Sequence, residues 1–243
     1  MAVEEPLEIR LGEEPISVLM RTPGDDADLA RGFLITEAIV SDPRHILAID
    51  EADQSGEGED ARLSVRLAPG NEVDPARFRR NMFVSSSCGV CGKATIEAVQ
   101  LLTAPVANFS VRRDIIARLT AELRSHQPTF DETGGLHAAG VFDLQGSLLV
   151  AREDVGRHNA VDKAVGAFAL LEWPLPPCLL VVSGRQSFEI VQKAAVAGIG
   201  GVIGVSAPSS LAVDLASSLG LLLAGFAREG SFNVYAGAHR LID

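Results

Sequence analysis

The chain has 243 residues, of which 47% are hydrophobic and 22% charged, and its formal net charge is −11. This composition predicts an ordinary globular protein with a sizeable core. The acidic excess disfavours nucleic acid and anionic membranes as general partners, although a local basic groove would still bind an anionic ligand. The longest uncharged run, residues 194–213, is broken by four glycines and a proline, so we interpret it as buried strand and loop rather than a membrane span.

Three cysteines are too few for a disulfide framework. The start MAVEEPLEIR has neither the basic nor the apolar segment of a secretory signal. We therefore expect a cytoplasmic protein whose cysteines are thiols. Lysine is rare, with three lysines (Lys93, Lys163 and Lys193) against 18 arginines. A general bias towards arginine in the sequence is enough to explain this ratio of lysine to arginine. Under such a bias, we expect lysine at positions where a compact ammonium group is needed.

The first part of the chain alternates short strands with helices. Strands are predicted at 7–12, 15–20, 45–50, 61–68 and 82–87. Helices are predicted over 27–40, with Asp25 or Asp26 as N-cap, and over 93–102. The acidic, glycine-containing stretch 51–60 is predicted to be a loop.

From residue 111 the order of elements changes. Helices are predicted at 113–125, 159–171, 188–198 and 211–220, and strands at 137–144, 147–154, 178–184, 202–207 and 221–227. Strands and helices alternate from Ser147 onwards, which predicts a mixed sheet with helices on its faces. We expect an α/β (α+β) protein with two domains: a small mixed domain over 1–110 and a larger α/β domain over 111–243.

The stretch VSSSCGVCGKA, residues 84–94, contains Cys88 and Cys91. Structural zinc usually needs four ligands, and no second Cys-x-x-Cys pair is present, so a metal site would have to recruit remote histidines. Two structural thiols in a tight loop are a second alternative. The third is reactive thiols: a helix starting near Gly92 would favour a thiolate at Cys88, and Lys93 adds a positive charge. We favour sulfur chemistry and predict no metal.

Two segments, TGGLHAAGVFD (133–143) and REDVGRHNAVDK (152–163), form a second cluster. The glycines suggest a close backbone approach, and the charged residues crowd one strand-to-helix corner, with Asn159 a potential helix cap. Such corners bind ligands in α/β proteins, which makes His158 and Lys163 candidate binding residues. The alternative is a solvated turn with weak local salt bridges.

Three further segments place a strand end before a helix start or a turn. SGRQSFEIVQK offers Arg185 and a helix beginning near Ser187, VSAPSS offers a serine cap, and GFAREGSFNVYA offers Arg228 beside aromatic residues. Helix N-termini with arginines bind anions. Each loop alone is typical of an ordinary cap, but their recurrence at one sheet edge predicts a phosphate-bearing ligand. Neither a Walker pattern nor a Rossmann glycine fingerprint is present.

The segments SSCGVCGK, TGGLHAA, REDVGRHNAVDK, SGRQSFEIVQKA and VSAPSSLAV resemble the signature segments of the formate dehydrogenase accessory sulfurtransferases (FdhD proteins). RTPGDDADLARGFLITEAI is similar to their N-terminal helix segment, with Ala38 where the family is expected to have glycine. The likeness covers residues 7–242. It implies a C-terminal domain of cytidine-deaminase-like, three-layer fold, although the deaminase zinc signature is missing.

The resemblance also implies a function. A cytoplasmic, homodimeric protein would accept persulfide sulfur from a cysteine desulfurase and pass it to the molybdenum cofactor, in its bis-molybdopterin guanine dinucleotide form, before insertion into formate dehydrogenase. Cys88 would carry the persulfide, with Cys91 as partner or second carrier. The family's cofactor-binding stretch falls on residues that would also bind a guanine nucleotide as a fragment: Phe226, Ala227, Arg228, Glu229, Gly230 and Ser231.

Two rival functions remain open. A thiol–disulfide oxidoreductase would use the same cysteines without needing a nucleotide pocket. A non-enzymatic chaperone of formate dehydrogenase would bind the cofactor without needing Cys88.

Overall fold

The computed structural model describes residues 1–51, 61–71, 73, 96–103 and 106–243. The strands in these residues are β1 (Glu5–Leu11), β2 (Glu14–Arg21), β3 (Ile46–Glu51), β4 (Ala61–Leu67), β5 (Val111–Arg112), β6 (His137–Phe142), β7 (Leu148–Asp154), β8 (Leu179–Val182), β9 (Gly201–Gly204), β10 (Leu222–Arg228), β11 (Ser231–Ala236) and β12 (Leu241–Ile242). The α-helices are α1 (Asp26–Thr36), α2 (Ile96–Gln100), α3 (Arg113–Arg124), α4 (Pro128–Thr133), α5 (Arg157–Leu171), α6 (Phe188–Val196) and α7 (Ser210–Leu219). Among these helices none is long and apolar enough to cross a membrane.

The N-terminal strands form a four-stranded sheet in the order β2-β1-β4-β3. β1 pairs with β2 in antiparallel and with β4 in parallel orientation. Alternate residues of β1, Leu7 and Ile9, are fully buried against α1, as the period-2 pattern of the strand requires. The alternating pattern of LEIRLG and PISVLM is therefore confirmed as a hairpin that covers one face of α1.

The larger sheet has six strands in the order β11-β10-β9-β8-β6-β7. β8, β9 and β10 are parallel, whereas β6, β7 and β11 run antiparallel to their neighbours. The mixed sheet predicted from the alternation after Ser147 is confirmed. Because β6 is antiparallel to β8, its first residues lie at the same edge as the carboxyl ends of β8, β9 and β10.

The central strand β8 is buried on both faces, which explains its uninterrupted apolar run. Leu180 and Val182 pack towards α5, α6 and α7, and Leu179 and Val181 pack towards α3. The protein therefore has helices on both faces of the sheet, the three-layer arrangement that the resemblance implies. The division into domains at residue 110 stays a prediction.

Two local expectations differ from the structure, and a third, Asp25 as N-cap of the first helix, is confirmed in position. The first helix ends at Thr36 rather than near residue 40, because Ala38 adopts a left-handed backbone with φ 51°. Asp25 occupies its N-cap position without a side-chain capping hydrogen bond. The fifth helix is capped at Gly156 rather than at Asn159.

The sequence-based assignment lacks four of these elements: helix α4 and strands β5, β11 and β12. Helix α4 follows Gln127 and is only six residues long. Strand β11 pairs with β10 in a hairpin whose turn contains Gly230, with φ 81°. The alternation Phe232, Val234, Ala236 after a glycine turn is a hairpin signal. The expectation of a loop around Arg228 is therefore wrong for residues 231–236, which form a strand.

Candidate functional site

The sequence segments singled out above meet at one edge of the six-stranded sheet. The loops that follow β8, β9 and β10 are held side by side by backbone hydrogen bonds. The amide of Ser209 donates to the Gln186 carbonyl at 3.0 Å, and the amide of Phe226 donates to the Ser206 carbonyl at 3.1 Å. The Gln186 side chain is fully buried and donates to the Ala224 carbonyl at 2.6 Å. The predicted convergence of the three loops at one edge is confirmed.

The start of β6 and the end of β7 lie at the same edge. His137 is paired with Asp154, and the Ser183 hydroxyl accepts a hydrogen bond from the Ala138 amide at 2.9 Å. The segments TGGLHAA and REDVGRHN are therefore neighbours of SGRQS, although they are up to fifty residues apart in the chain. The helices α5, α6 and α7 all begin here, so their N-terminal amides face the same region.

A cavity of about 620 Å³ opens at this edge on the α3 side of the sheet. Its volume lies within the range of about 300–1,000 Å³ typical of small-molecule sites. The predicted residues Ala227, Arg228 and Glu229 line it. The remaining lining residues come from α3, α4, the glycine segment and the ends of β8 and β9: Thr120, Ala121, Leu123, Arg124, Gln127, Phe130, Gly134, Gly135, Leu136, His137, Ser183 and Val205.

A second cavity of about 670 Å³ lies on the other side of the β10–β11 turn. Glu229, Gly230 and Ser231 line it together with Arg113 and Arg118 of α3. Glu229 thus borders both cavities, and residues 227–231 of the predicted stretch line one cavity or the other, whereas Phe226 lines neither.

Phe226 is a strained residue at the end of β10. Its φ of 51° is rare for a bulky side chain, and 42% of its surface is exposed. The register of the β10–β11 pair shifts at this point, between Gly225 and Arg228, while Ala227 is buried against α3. Strain held in place by surrounding contacts is frequent at binding sites. The feature agrees with the predicted role of this stretch.

Two predicted arginines are available for an anion. Arg185 and Arg228 are exposed, and neither forms an ion pair or side-chain hydrogen bond with any residue that the structure describes. The Nε atom of the neighbouring Arg157 is buried, and it has no hydrogen-bond partner among the described residues. These guanidinium groups stand out in a protein with a net charge of −11.

The two histidines at the edge are neutral at physiological pH. Burial, with the charges of Lys193 and Arg157, lowers the pKa of His158 to about 4. Burial and Arg157 lower the pKa of His137 below its ordinary value. The His158 Nε2 lies 3.4 Å from the hydroxyl of Ser187, the N-cap of α6, so these two predicted residues are brought together.

Lys163 is placed differently from the other predicted residues. Its Nζ lies 2.8 Å from Asp154 Oδ2, and both side chains are almost fully buried. It also donates to the Thr22 carbonyl at 2.8 Å. The ammonium is thus engaged inside the protein, and Lys163 borders a separate cavity of about 300 Å³.

Much of the polar corner 152–163 serves to hold the end of β2. Asp154 Oδ2 accepts from the Thr22 amide at 3.1 Å, and the Asn159 amide donates to the Met20 carbonyl at 2.7 Å. Some of the charged and polar residues that the sequence assigns to ligand binding therefore connect the two sheets inside the protein instead. Glu153 instead accepts from the backbone amides of Thr129 and Phe130 at the start of α4, and Asp162 pairs with Lys193.

Of the cysteines, Cys88 and Cys91 lie outside the described residues, as does Lys93. Cys178 is fully buried immediately before β8, as expected of a small apolar residue, and burial raises the pKa of its thiol to about 12. Among the described residues no group of three or more histidines, cysteines and carboxylates has metal-binding geometry.

Sequence reasoning missed Arg124, Phe130 and Thr120, which line the 620 Å³ cavity from α3 and α4. Arg124 stacks over the ring of Phe130 at 4.9 Å from its centroid. No motif marks these residues, because they reach the cavity only through the packing of α3 and α4 beside the sheet edge.

Residues 2–242 match the model of the FdhD/NarQ family. The chain belongs to this family. The "Sulfur carrier protein FdhD" of Streptomyces coelicolor is 48% identical over 249 residues, covering 99% of this chain and 88% of the relative. The protein of the same name from Mycobacterium tuberculosis is 45% identical over 251 residues, covering 99% and 91%.

A solved member supports the fold as well. The crystal structure of a candidate formate dehydrogenase accessory protein from Desulfotalea psychrophila superposes with a TM-score of 0.76 at 26% sequence identity. The match covers 100% of this chain and 90% of the other. The family membership and the mixed α/β fold inferred from the signature segments are both confirmed.

Proposed function

We propose that this protein is a sulfur carrier that supplies sulfur to the molybdenum cofactor of formate dehydrogenase. Cys88 takes persulfide sulfur from a cysteine desulfurase, with Cys91 as partner or second carrier. The sulfur then passes to the bis-molybdopterin guanine dinucleotide form of the cofactor, the substrate, before its insertion into formate dehydrogenase. Membership of the family and the names of the relatives support this proposal.

The observation that carries the proposal is the burial of the third cysteine, Cys178. The chain has three cysteines. Cys178 has no exposed surface, so a sulfur donor cannot reach it. Its pKa is raised to about 12, so its thiol is not ionised at physiological pH. A sulfur carrier built from this sequence must therefore use Cys88 or Cys91.

The loading step is a thiolate exchange. The Cys88 thiolate attacks the terminal sulfur of the desulfurase persulfide, a new S–S bond forms, and the desulfurase cysteine leaves as a thiolate. No external oxidant or reductant is consumed, because the sulfane sulfur moves without a change in the number of electrons. From the sequence, we expect the glycines and serines beside Cys88 to leave backbone amides available to favour the anion.

The acceptor is expected at the sheet edge. A cofactor carrying guanine nucleotides needs cations for its phosphates and an apolar surface for its bases. The cavity on the α3 side of the sheet offers Arg124, Arg228 and Phe130 in one lining, and Arg185, which pairs with none of the described residues, lies at the same sheet edge. We include in the proposal a cytoplasmic location and a homodimer, which the resemblance implies.

The test is activation of formate dehydrogenase in cells that lack their own copy of this protein. Cys88→Ala should abolish activation, whereas Cys178→Ala should leave activation largely intact in soluble protein. Activation that survives Cys88→Ala together with Cys91→Ala would favour the chaperone function instead. Catalysed reduction of insulin disulfides by the purified protein would favour the oxidoreductase.

A further inference from the structure

Arg240 is a buried cation that no carboxylate of the described residues neutralises. Its side chain is only 6% exposed, and it takes part in no ion pair within that part of the chain. Its Nε donates to the Gly220 carbonyl at 2.7 Å, and its Nη1 donates to the Ala107 carbonyl at 3.0 Å. The guanidinium also lies over the ring of Phe109, 4.4 Å from the centroid. Because burying a charge is costly, these contacts have to stabilise it without a counter-ion.

The two carbonyl groups belong to different parts of the fold. Gly220 is the C-cap of α7, whereas Ala107 lies in the connector, residues 106–110, which follows α2 in the chain and leads into β5. Strand β12 comes directly after Arg240 and pairs in parallel with β5. Arg240 and β12 therefore fasten the connector to the end of α7.

Both fastened segments adjoin α2. Val99 of α2 is fully buried in the hydrophobic cluster that contains Leu215 of α7, and the two helices are in contact. Val106, the first residue of the connector, packs against the clusters on both faces of the six-stranded sheet. Helix α2 begins five residues after Cys91. The place where the cysteine-containing stretch joins the described fold therefore depends on the contacts of α2.

We propose that Arg240 is a positioning residue for sulfur transfer, which holds α2 in place through the connector and the end of α7. This inference rests on the proposed function, and it concerns the delivery of sulfur rather than its loading. Delivery requires the sulfur on Cys88 to meet a bound acceptor, and a misplacement of about 1 Å in such geometry costs up to about 100-fold in rate. Loading needs only an accessible thiol, because the donor is a separate protein that approaches it.

The experiment compares loading and delivery in the full-length variant Arg240→Met. Loading is measured as persulfide formed on Cys88 by a cysteine desulfurase, and delivery as formate dehydrogenase activity per amount of soluble variant in cells that lack their own copy. Loading should stay within about two-fold of wild type, whereas delivery should fall about ten-fold or more. Hydrogen exchange followed by mass spectrometry should become faster in residues 96–112 and stay unchanged in α5. A variant that is only less stable would lose loading and delivery in proportion.

Arg112→Met is the matched control. Arg112 lies in β5, next to the connector, but its side chain is 57% exposed and pairs with Asp114. Both loading and delivery should match the wild type in this control. Arg240→Lys should restore part of the delivery, because an ammonium group can still donate to the two carbonyl groups.

A second variant covers the case in which Arg240→Met does not fold. Phe109→Leu removes the ring beneath the guanidinium but keeps an apolar side chain, and it should show the same split between loading and delivery to a smaller extent. Unaltered delivery in soluble Arg240→Met or Phe109→Leu would overturn the inference, as would equal losses of loading and delivery or an equal effect of Arg112→Met. Each of these results leaves the proposed function intact. Failure of wild-type Cys88 to gain a persulfide would instead contradict the proposed function, and with it the role of Arg240.

Discussion

Gly32 of α1 and Gly166 of α5 face each other where the two helices cross. A Cβ atom on Gly32 would lie 1.7 Å from the carbonyl oxygen of Asp162, and one on Gly166 would lie 1.9 Å from that of Asp28. Two glycines thus allow the backbones of the helices to touch. This contact fixes α1, and the N-terminal sheet packed on it, against the layer of helices that begins at the candidate site.

Gly166→Ala should destabilise the protein by about 3 kcal/mol or more, because the new methyl group meets a backbone that cannot move aside. In a helix interior without such a contact, alanine is more stable than glycine by about 1 kcal/mol. A loss of stability in Gly166→Ala would therefore show that the two helix backbones are in contact. Gly12→Ala is the control, since its Cβ would meet nothing within 4 Å and only its φ of 57° is unfavourable. Urea unfolding monitored by circular dichroism gives both values, and equal losses would contradict close packing.

Ala38→Gly should stabilise the protein by about 1 kcal/mol. Ala38 has a φ of 51° at the end of α1, a conformation that costs an L-residue about 1–2 kcal/mol and glycine much less. Ala121→Gly, on the exposed side of α3, should cost about 1 kcal/mol instead. Denaturant midpoints that fall for both variants would show that Ala38 is not strained.

Lys193→Met should cost about 3–5 kcal/mol of stability, since it leaves a buried carboxylate without its cation. Lys193 Nζ donates to Asp162 Oδ2 at 2.9 Å and to Thr36 Oγ1 at 3.0 Å. Burial disfavours this ammonium, but the carboxylates of Asp162 and Glu37 outweigh that effect and raise the pKa of Lys193.

An exposed ion pair provides the comparison for Lys193. Arg66→Met breaks a pair with Asp50 at 3.2 Å in which both side chains are more than half exposed, and it should cost less than about 1 kcal/mol. Replacing Lys193 and Asp162 together by methionine and leucine should cost less than Lys193→Met alone. A double variant as unstable as the sum of the single ones would contradict the pairing.

Stability should fall as the pH drops from 6.5 towards 4, in part because of His158. Its pKa is lowered from 6.5 to about 4 by burial and by Lys193 and Arg157, so the unfolded chain binds a proton in this window that the folded protein does not. The resulting loss between pH 7 and 5 is about 1–2 kcal/mol. His158→Gln should reduce the loss by that amount, whereas the exposed His239→Gln should not. Identical pH profiles for wild type and His158→Gln would rule out a buried neutral imidazole.

The order of elements followed from local patterns. The continuous apolar run of LLVV and the alternation of apolar and polar residues in LEIRLG and PISVLM are each properties of the segment itself. The rarity of lysine was also informative, since Lys163 and Lys193 both prove to be compact ammonium groups in buried ion pairs.

The roles within the polar corner could not be read from the sequence. Lys163 and Asn159 bind backbone carbonyls of Thr22 and Met20, which are about 140 residues earlier in the chain. Local charge density is the same whether a side chain serves a ligand or a distant strand, so only the tertiary structure separates the two. The same reason hid Phe130 and Arg124, which the packing of α3 and α4 brings to the cavity.

Peptide mapping by mass spectrometry, after incubation with a cysteine desulfurase and cysteine, tests the central claim most directly. The account predicts a reducible gain of one sulfur atom, about 32 Da, on the peptide containing Cys88. The gain should disappear in Cys88→Ala and should never occur on the buried Cys178. An adduct found only on Cys178, or none on the wild-type protein, would contradict a sulfur carrier.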